Sequence, residues 1–153
     1  MKPRVLISAC LLGVNCRYDG GGKEMPGVAA LMERAELIPV CPEIVGGLPT
    51  PRVPSERVGD RVLAKDGGDV SAAFERGAGE ALKLARLFGA RLALLKERSP
   101  SCGSGQIYDG SFAGGLTQGD GVTAELLKAN GIAVYGESRV QELIERLHGG
   151  TEL

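Results

Sequence analysis

Four short apolar runs recur along the chain, separated by longer segments of mixed polarity. Val5-Leu6-Ile7-Ser8-Ala9, Leu37-Ile38-Pro39-Val40, Arg91 to Lys96 and Ile132 to Tyr135 have strand length and are near-continuously apolar. That is the pattern of strands buried on both faces of a sheet. Between them lie stretches with helical period. Pro26 to Arg34 predicts a short helix with its proline in the first turn. Val70 to Phe88 carries Val70, Phe74, Gly77, Ala81, Leu84, Ala85 and Phe88 on one stripe, with Asp69 as N-cap and Gly89 as a left-handed stop. Gly121 to Ala129 predicts a helix capped by Asp120 and ended by Asn130-Gly131. Ser138-Arg139-Val140-Gln141 has capping-box spacing and opens a last helix to about Leu147. Strands alternating with helices imply crossovers and a parallel sheet. The expected fold is a single-domain α/β, Rossmann-like three-layer sandwich over 1–153, its four-stranded parallel sheet ordered 2-1-3-4. Pro39 requires an edge position or an unpaired donor for its strand.

The rest of the pattern is glycine and proline. Of 153 residues, 24 are Gly and 8 are Pro, concentrated between the periodic segments, so much of the chain is expected in loops of defined geometry. The segment from Pro42 to Arg57 is too broken by proline for a helix and reads as a functional loop, and Ser99 to Gly115 reads as a second. Tyr18-Asp19-Gly20 is echoed by Tyr108-Asp109-Gly110, which reads as shared loop chemistry, not as a repeat.

Charge narrows the function by exclusion. Eighteen basic and 19 acidic residues leave a net charge of -1, and aromatics are only 4% with no Trp; neither a nucleic-acid field nor a stacking platform for long single strands is expected. No apolar run approaches the roughly 20 residues of a membrane span and no apolar leader is visible, so a cytoplasmic chain with reduced thiols is expected. The expected partner is a small molecule.

The four cysteines then carry the chemistry. In an open parallel sheet the binding crevice lies beyond the carboxyl ends of the strands, where strand order reverses. Cys10 follows the first strand, Cys41 ends the second and Cys102 lies in the loop after the third, so the topology brings three thiols to that crevice. Any one of them alone reads as a buried structural cysteine; three at one edge favour a metal. Zinc held with Cys16 as a fourth ligand lacks the usual C-x2-4-C pairing. Iron-sulfur clusters do use scattered thiolates, and three ligands to a cubane leave one iron open as a Lewis acid with affinity for sulfur. Glycine-rich backbone at Ser101 to Gly105 and at Gly46-Gly47 is expected to reach cluster sulfides. His148 reads as a helix-end cation.

Six segments stand out: Ser8-Ala9-Cys10-Leu11-Leu12-Gly13, Cys16-Arg17-Tyr18-Asp19-Gly20, Val40-Cys41-Pro42-Glu43, Gly46-Gly47-Leu48-Pro49-Thr50-Pro51-Arg52, Lys96-Glu97-Arg98-Ser99-Pro100-Ser101-Cys102-Gly103 and Ile107-Tyr108-Asp109-Gly110-Ser111-Phe112. Together, over about Val5 to Val134, they resemble a family of bacterial thiouracil desulfidases. The resemblance implies a 4Fe-4S cluster on Cys10, Cys41 and Cys102, with Cys16 a nearby non-ligand. It implies non-redox removal of sulfur from a thiolated pyrimidine such as 2-thiouracil, the thiocarbonyl sulfur meeting the open iron while water adds to carbon. Glu43 matches the base and Ser101 its polar neighbour. The residues by themselves allow a blander reading, in which Glu43 pairs with Arg52 or Arg57 and Ser101 is a turn hydroxyl. Tyr18, Asp19 and Arg52 sit in the loops expected to cover the crevice and to position a flat heterocycle. The competing functions are a non-catalytic iron-sulfur or thiol redox sensor and a structural zinc domain.

Overall fold

The computed structural model describes residues 2–148; the side chain of His148, for which a helix-end role is expected, lies outside the described residues. The elements in chain order are β1 (Arg4–Ser8), α1 (Val28–Arg34), β2 (Glu36–Val40), α2 (Pro42–Val45), β3 (Ser55–Val58), β4 (Arg61–Ala64), α3 (Ser71–Phe88), β5 (Leu92–Leu95), β6 (Gln106–Tyr108), β7 (Leu116–Gln118), α4 (Val122–Ala129), β8 (Ala133–Gly136) and α5 (Val140–His148).

β1, β2, β5 and β8 form a parallel sheet in the order β2-β1-β5-β8. This is the expected 2-1-3-4 arrangement. Pro39 sits on the edge strand β2 opposite Ile7, where its missing donor interrupts no second ladder. Successive residues of each strand point to opposite faces, so a continuous apolar run serves two cores. Val5, Ile7, Leu92 and Leu94 pack with Leu31 of α1 and with Leu143 and Leu147 of α5. Leu6, Ala93, Leu95 and Val134 pack with Ala81 and Ala85 of α3 and with Ala124 and Leu127 of α4. Leu6, Ile7, Leu92, Leu94 and Leu95 are completely buried, each contributing roughly 1.5–3 kcal/mol relative to exposure. The result is a three-layer α/β sandwich.

Element boundaries differ from expectation where the chain's prolines and hydroxyls find other work. Pro26 lies outside α1, which starts after Gly27 in the left-handed region (φ 92). The segment after Cys41 does form one helical turn, α2, because Pro42 occupies its first position, where no donor is missed. Beyond it, β3 and β4 form an antiparallel hairpin, and the loop from Ser99 to Gly115 contains β6, which pairs with β7. Asp120 does not cap α4 with its side chain; its carboxylate accepts from the Gly105 N–H at 2.8 Å and pairs with Lys128. The Ser138 hydroxyl donates to Glu97 instead of closing a capping box, and a 3-10 turn over Glu137–Arg139 precedes α5. Asp69 lies one residue further from α3 than expected but still accepts from the Ser71 N–H at 2.9 Å. Gly89 ends that helix with φ 67, as expected.

The turn after β2 is held by close backbone approach. A Cβ on Gly77 of α3 would lie 1.9 Å from the carbonyl oxygen of Pro42, and one on Gly46 would lie 2.2 Å from that of Ala73. Two glycines thus let α2 lie directly against α3, and Arg76 donates to the Gly46 carbonyl at 2.6 Å. Cys41 and Glu43 are carried on this seated turn. Among the described residues no helix is long and apolar enough to cross a membrane.

Candidate active site

Strand order reverses between β1 and β5, and a cavity of about 310 Å³ opens there beyond the strand ends. Its thiols are carried on the turns and loops that follow β1, β2 and β5. Cys10 lies in a 3-10 turn, Ala9–Leu12, closed by Gly13 at φ 89. Cys41 is the residue between β2 and α2. Cys102 lies in the turn after β5, its N–H donating to Ser99 Oγ at 2.9 Å. Cys16, from the loop after β1, lines the cavity too, and the Cys41 thiol donates to the Cys16 carbonyl at 3.7 Å. All four cysteines are free.

Burial, and the proximity of other thiols, favour the neutral form of Cys10, Cys16 and Cys102. The Cys10 thiol is pushed up to about 12, first by burial and then by Cys102, Cys16 and Cys41, against a lowering by Lys96. Cys102 is pushed up to about 11, mainly by burial, although the Ser101 and Ser8 hydroxyls favour its thiolate. Burial, followed by the neighbouring Cys41, raises Cys16 as well. Neutral thiols that sense one another's charge become thiolates together only when cations join them. Thiols brought from separate loops to one cavity are a soft donor set that fits a polynuclear iron-sulfur group, and they lack the paired C-x2-4-C spacing usual in a structural zinc site. The backbone donors expected to reach its sulfides are largely committed elsewhere. The N–H groups of Ser101 and Cys102 donate to Ser99 Oγ, those of Gly103 and Gly105 to the Ser99 carbonyl and to Asp120, and those of Gly46 and Gly47 to carbonyls of α2.

Beside the thiols stands a carboxylate–hydroxyl pair. Glu43 projects from the first turn of α2, and its Oε1 accepts from Arg52 Nε at 3.0 Å in an ion pair whose side chains are 17% and 7% exposed. Its Oε2 accepts from the Ser101 hydroxyl at 3.3 Å, and the same hydroxyl lies 3.4 Å from Cys102 Sγ. The expected pairing of Glu43 with Arg52 is present and takes one oxygen, while the other faces Ser101 at the cavity. The remaining Arg52 donors go to the Cys16 carbonyl at 2.9 Å, the Pro49 carbonyl at 3.1 Å and Thr50 Oγ1 at 3.2 Å. Arg52 ties the loop bearing Cys16 to the loop after α2. Tyr18 lines the cavity and is 41% exposed. Asp19 does not line it; its carboxylate accepts from the Gly21 N–H at 2.9 Å and shapes the turn behind Tyr18.

Four contributors went unread in the sequence. Ser8 accepts from the Lys96 N–H at 2.9 Å, which ties the ends of β1 and β5 together at the reversal point. Lys96 lines the cavity with its ammonium 3.1 Å from Glu137 Oε2. Tyr108 lines the cavity with Phe112. The repeated Tyr-Asp-Gly tripeptide was the available signal for Tyr108. Asp109 accepts from the Ser111 N–H at 2.9 Å as Asp19 does from Gly21, and Gly20 and Gly110 both have positive φ (83 and 92). The same turn presents a tyrosine to the cavity twice.

Known proteins resemble this chain in sequence and fold. The model of the family described as 2-thiouracil desulfurase matches residues 5–139. An uncharacterized protein, YbbK, from Bacillus subtilis (strain 168) is 37% identical over 150 residues, spanning 92% of this chain and 99% of that protein. Among solved structures, a 4Fe-4S-dependent thiouracil desulfidase, TudS, superposes with a TM-score of 0.91 at 48% identity, covering 96% of this chain and 99% of that one.

Proposed function

The chain belongs to the 2-thiouracil desulfurase family, and from that premise we propose that it replaces the sulfur of a thiolated pyrimidine such as 2-thiouracil by oxygen, using a 4Fe-4S cluster held by Cys10, Cys41 and Cys102. The observation that carries this reading is the gathering of those three thiols, each from the end of a different neighbouring strand, around one cavity beside the Glu43–Ser101 pair. The likeness to TudS supports both the reaction and the cofactor. Retained free thiols suit a reducing cytoplasm.

The overall reaction is thiouracil plus water giving uracil and hydrogen sulfide. The water oxygen becomes the carbonyl oxygen and both water protons leave with sulfur, which keeps its oxidation state throughout, so no external oxidant or reductant enters. Bound to three thiolates, the cluster supplies an open, sulfur-seeking Lewis-acidic iron. The protein supplies proton transfer and orientation. Arg52 fixes Glu43 Oε1, which leaves Oε2 free to accept a proton from the water that attacks the ring carbon. Ser101 orients that oxygen at 3.3 Å; once Glu43 is protonated, the hydroxyl becomes the acceptor and holds the proton near Cys102 Sγ. Tyr18 contacts the heterocycle from the cavity wall, while Asp19 holds the turn that aims it. Arg52 acts on substrate through Glu43.

Purification without oxygen tests the reading. The chain is expected to be brown, to contain iron and acid-labile sulfide, and to release sulfide from 2-thiouracil. Glu43→Ala is expected to keep the parent's cluster and lose on the order of 100-fold or more in kcat, the range typical of a general base. Colourless zinc protein would overturn the cofactor, a cluster protein that releases no sulfide would leave the sensor reading, and full activity in Glu43→Ala would overturn the proton acceptor.

A further inference from the structure

Phe112 lies in the loop between β6 and β7 with φ 56, in the left-handed region, where among the described residues the other non-glycine is Arg98. A bulky aromatic there is strained, and the strain persists only where the surroundings impose it. Chain reversal does not require it, because Gly110 and Gly114 in the same loop already supply positive φ. Nor does core packing, because Phe112 belongs to neither of the two apolar clusters that sandwich the sheet. What holds it is Glu56 of β3. This carboxylate is 8% exposed, and its Oε1 accepts from both the Gly110 N–H at 2.9 Å and the Phe112 N–H at 3.1 Å. Two converging amides on a buried carboxylate fix the loop to the β3–β4 hairpin and leave the ring lining the cavity with Tyr18 and Tyr108.

We propose that Phe112 is the stacking face for the substrate's flat heterocycle and that Glu56 is the residue that positions it. The inference rests on the proposed desulfuration. A phenyl ring has no polar tip, so its contribution is contact with the π face of a planar ligand, worth about fivefold to a hundredfold in affinity. Such contact is present before and after sulfur leaves, so it acts on binding more than on the chemical step.

The test uses the cluster-loaded enzyme, with uracil binding followed by calorimetry and 2-thiouracil turnover by sulfide release. Phe112→Ala and Phe112→Gly are expected to weaken uracil binding and raise KM by about fivefold to a hundredfold with little change in kcat, whereas Phe112→Tyr retains both. Because glycine relieves the strained φ, Phe112→Gly is expected to melt no lower than Phe112→Ala. Glu56→Gln keeps a carbonyl acceptor and is expected to bind uracil as the parent does; Glu56→Ala is expected to reproduce the Phe112→Ala loss. Unchanged uracil affinity in Phe112→Ala, or a fall in kcat at constant KM, would overturn the stacking role. A cluster-loaded parent that releases no sulfide would instead overturn the desulfuration reading.

Discussion

Cys16 separates what a side chain does from what its backbone does. Its carbonyl accepts from Arg52 Nη2 at 2.9 Å and from the Cys41 thiol at 3.7 Å, so the groups around Glu43 and Cys41 lean on the peptide at this position. Alanine keeps that carbonyl. Cys16→Ala is therefore expected to retain the parent's iron and sulfide content at a stability cost of roughly 1 kcal/mol, whereas alanine at Cys10, Cys41 or Cys102 loses the cluster. Metal and sulfide analysis of the four variants checks this, and cluster loss in Cys16→Ala would point to four protein ligands and no open iron. At this scale the sequence was informative about residue types and offered Arg52 as a partner of Glu43, but it was silent about Ser101 as the other. That Glu43 would give one oxygen to Arg52 and the other to Ser101 depends on two loops meeting across 9 and 58 residues of chain. The strained φ of Phe112 has no sequence signature at all, because a phenylalanine in a glycine-rich loop reads as an ordinary loop residue.

The parallel sheet was legible because its strands are apolar runs alternating with helical segments, β1 and β5 burying both faces, while Pro39 fits β2 at the edge. The two hairpins were not, for a physical reason. Ser55–Val58 and Arg61–Ala64 alternate buried and exposed positions over only four residues each, and β7, Leu116–Gln118, is exposed throughout, so backbone pairing and not an apolar face defines them. The seat of α2 on α3 was equally hidden, since Gly77 reads as one more small residue on a helical stripe. It is the element-level determinant of the site. Gly77→Ala would place a methyl group 1.9 Å from the Pro42 carbonyl, and backbone cannot swing aside as a side-chain tip can. The substitution is expected to displace the turn bearing Cys41 and Glu43, costing about 1–3 kcal/mol as overpacking does and reducing both cluster content and turnover. Gly79 of the same helix faces open space, and Gly79→Ala is the control, expected to leave both unchanged and to stabilise the helix slightly. Equal effects of the two alanines on thermal melting and iron content would rule out the close contact as the cause.

At the scale of the whole molecule the thiol cluster couples stability to pH, and the direction depends on whether the cofactor is bound. In the cluster-free chain Cys10 and Cys102 are raised from an ordinary 9.0 to about 12 and about 11, both first by burial, with neighbouring thiols raising Cys10 further and Glu43 and Cys41 raising Cys102. Between those values the unfolded chain has released protons that the folded one retains, so stability falls as pH rises. The contribution of the neutral thiols is complete below about pH 9 and is lost progressively toward pH 11–12. Cluster binding requires the thiolates and so releases their protons beforehand, which removes this alkaline sensitivity and substitutes competition by protons at low pH. Denaturant unfolding between pH 8 and pH 11 under reducing conditions should therefore show cluster-free protein weakening steeply and loaded protein much less. Lysine and tyrosine titrate in the same range, so the cysteine share is read from Cys102→Ala. The cluster-free variant is expected to lose less stability per pH unit than its cluster-free parent, and identical slopes would mean that the buried thiols do not carry the effect.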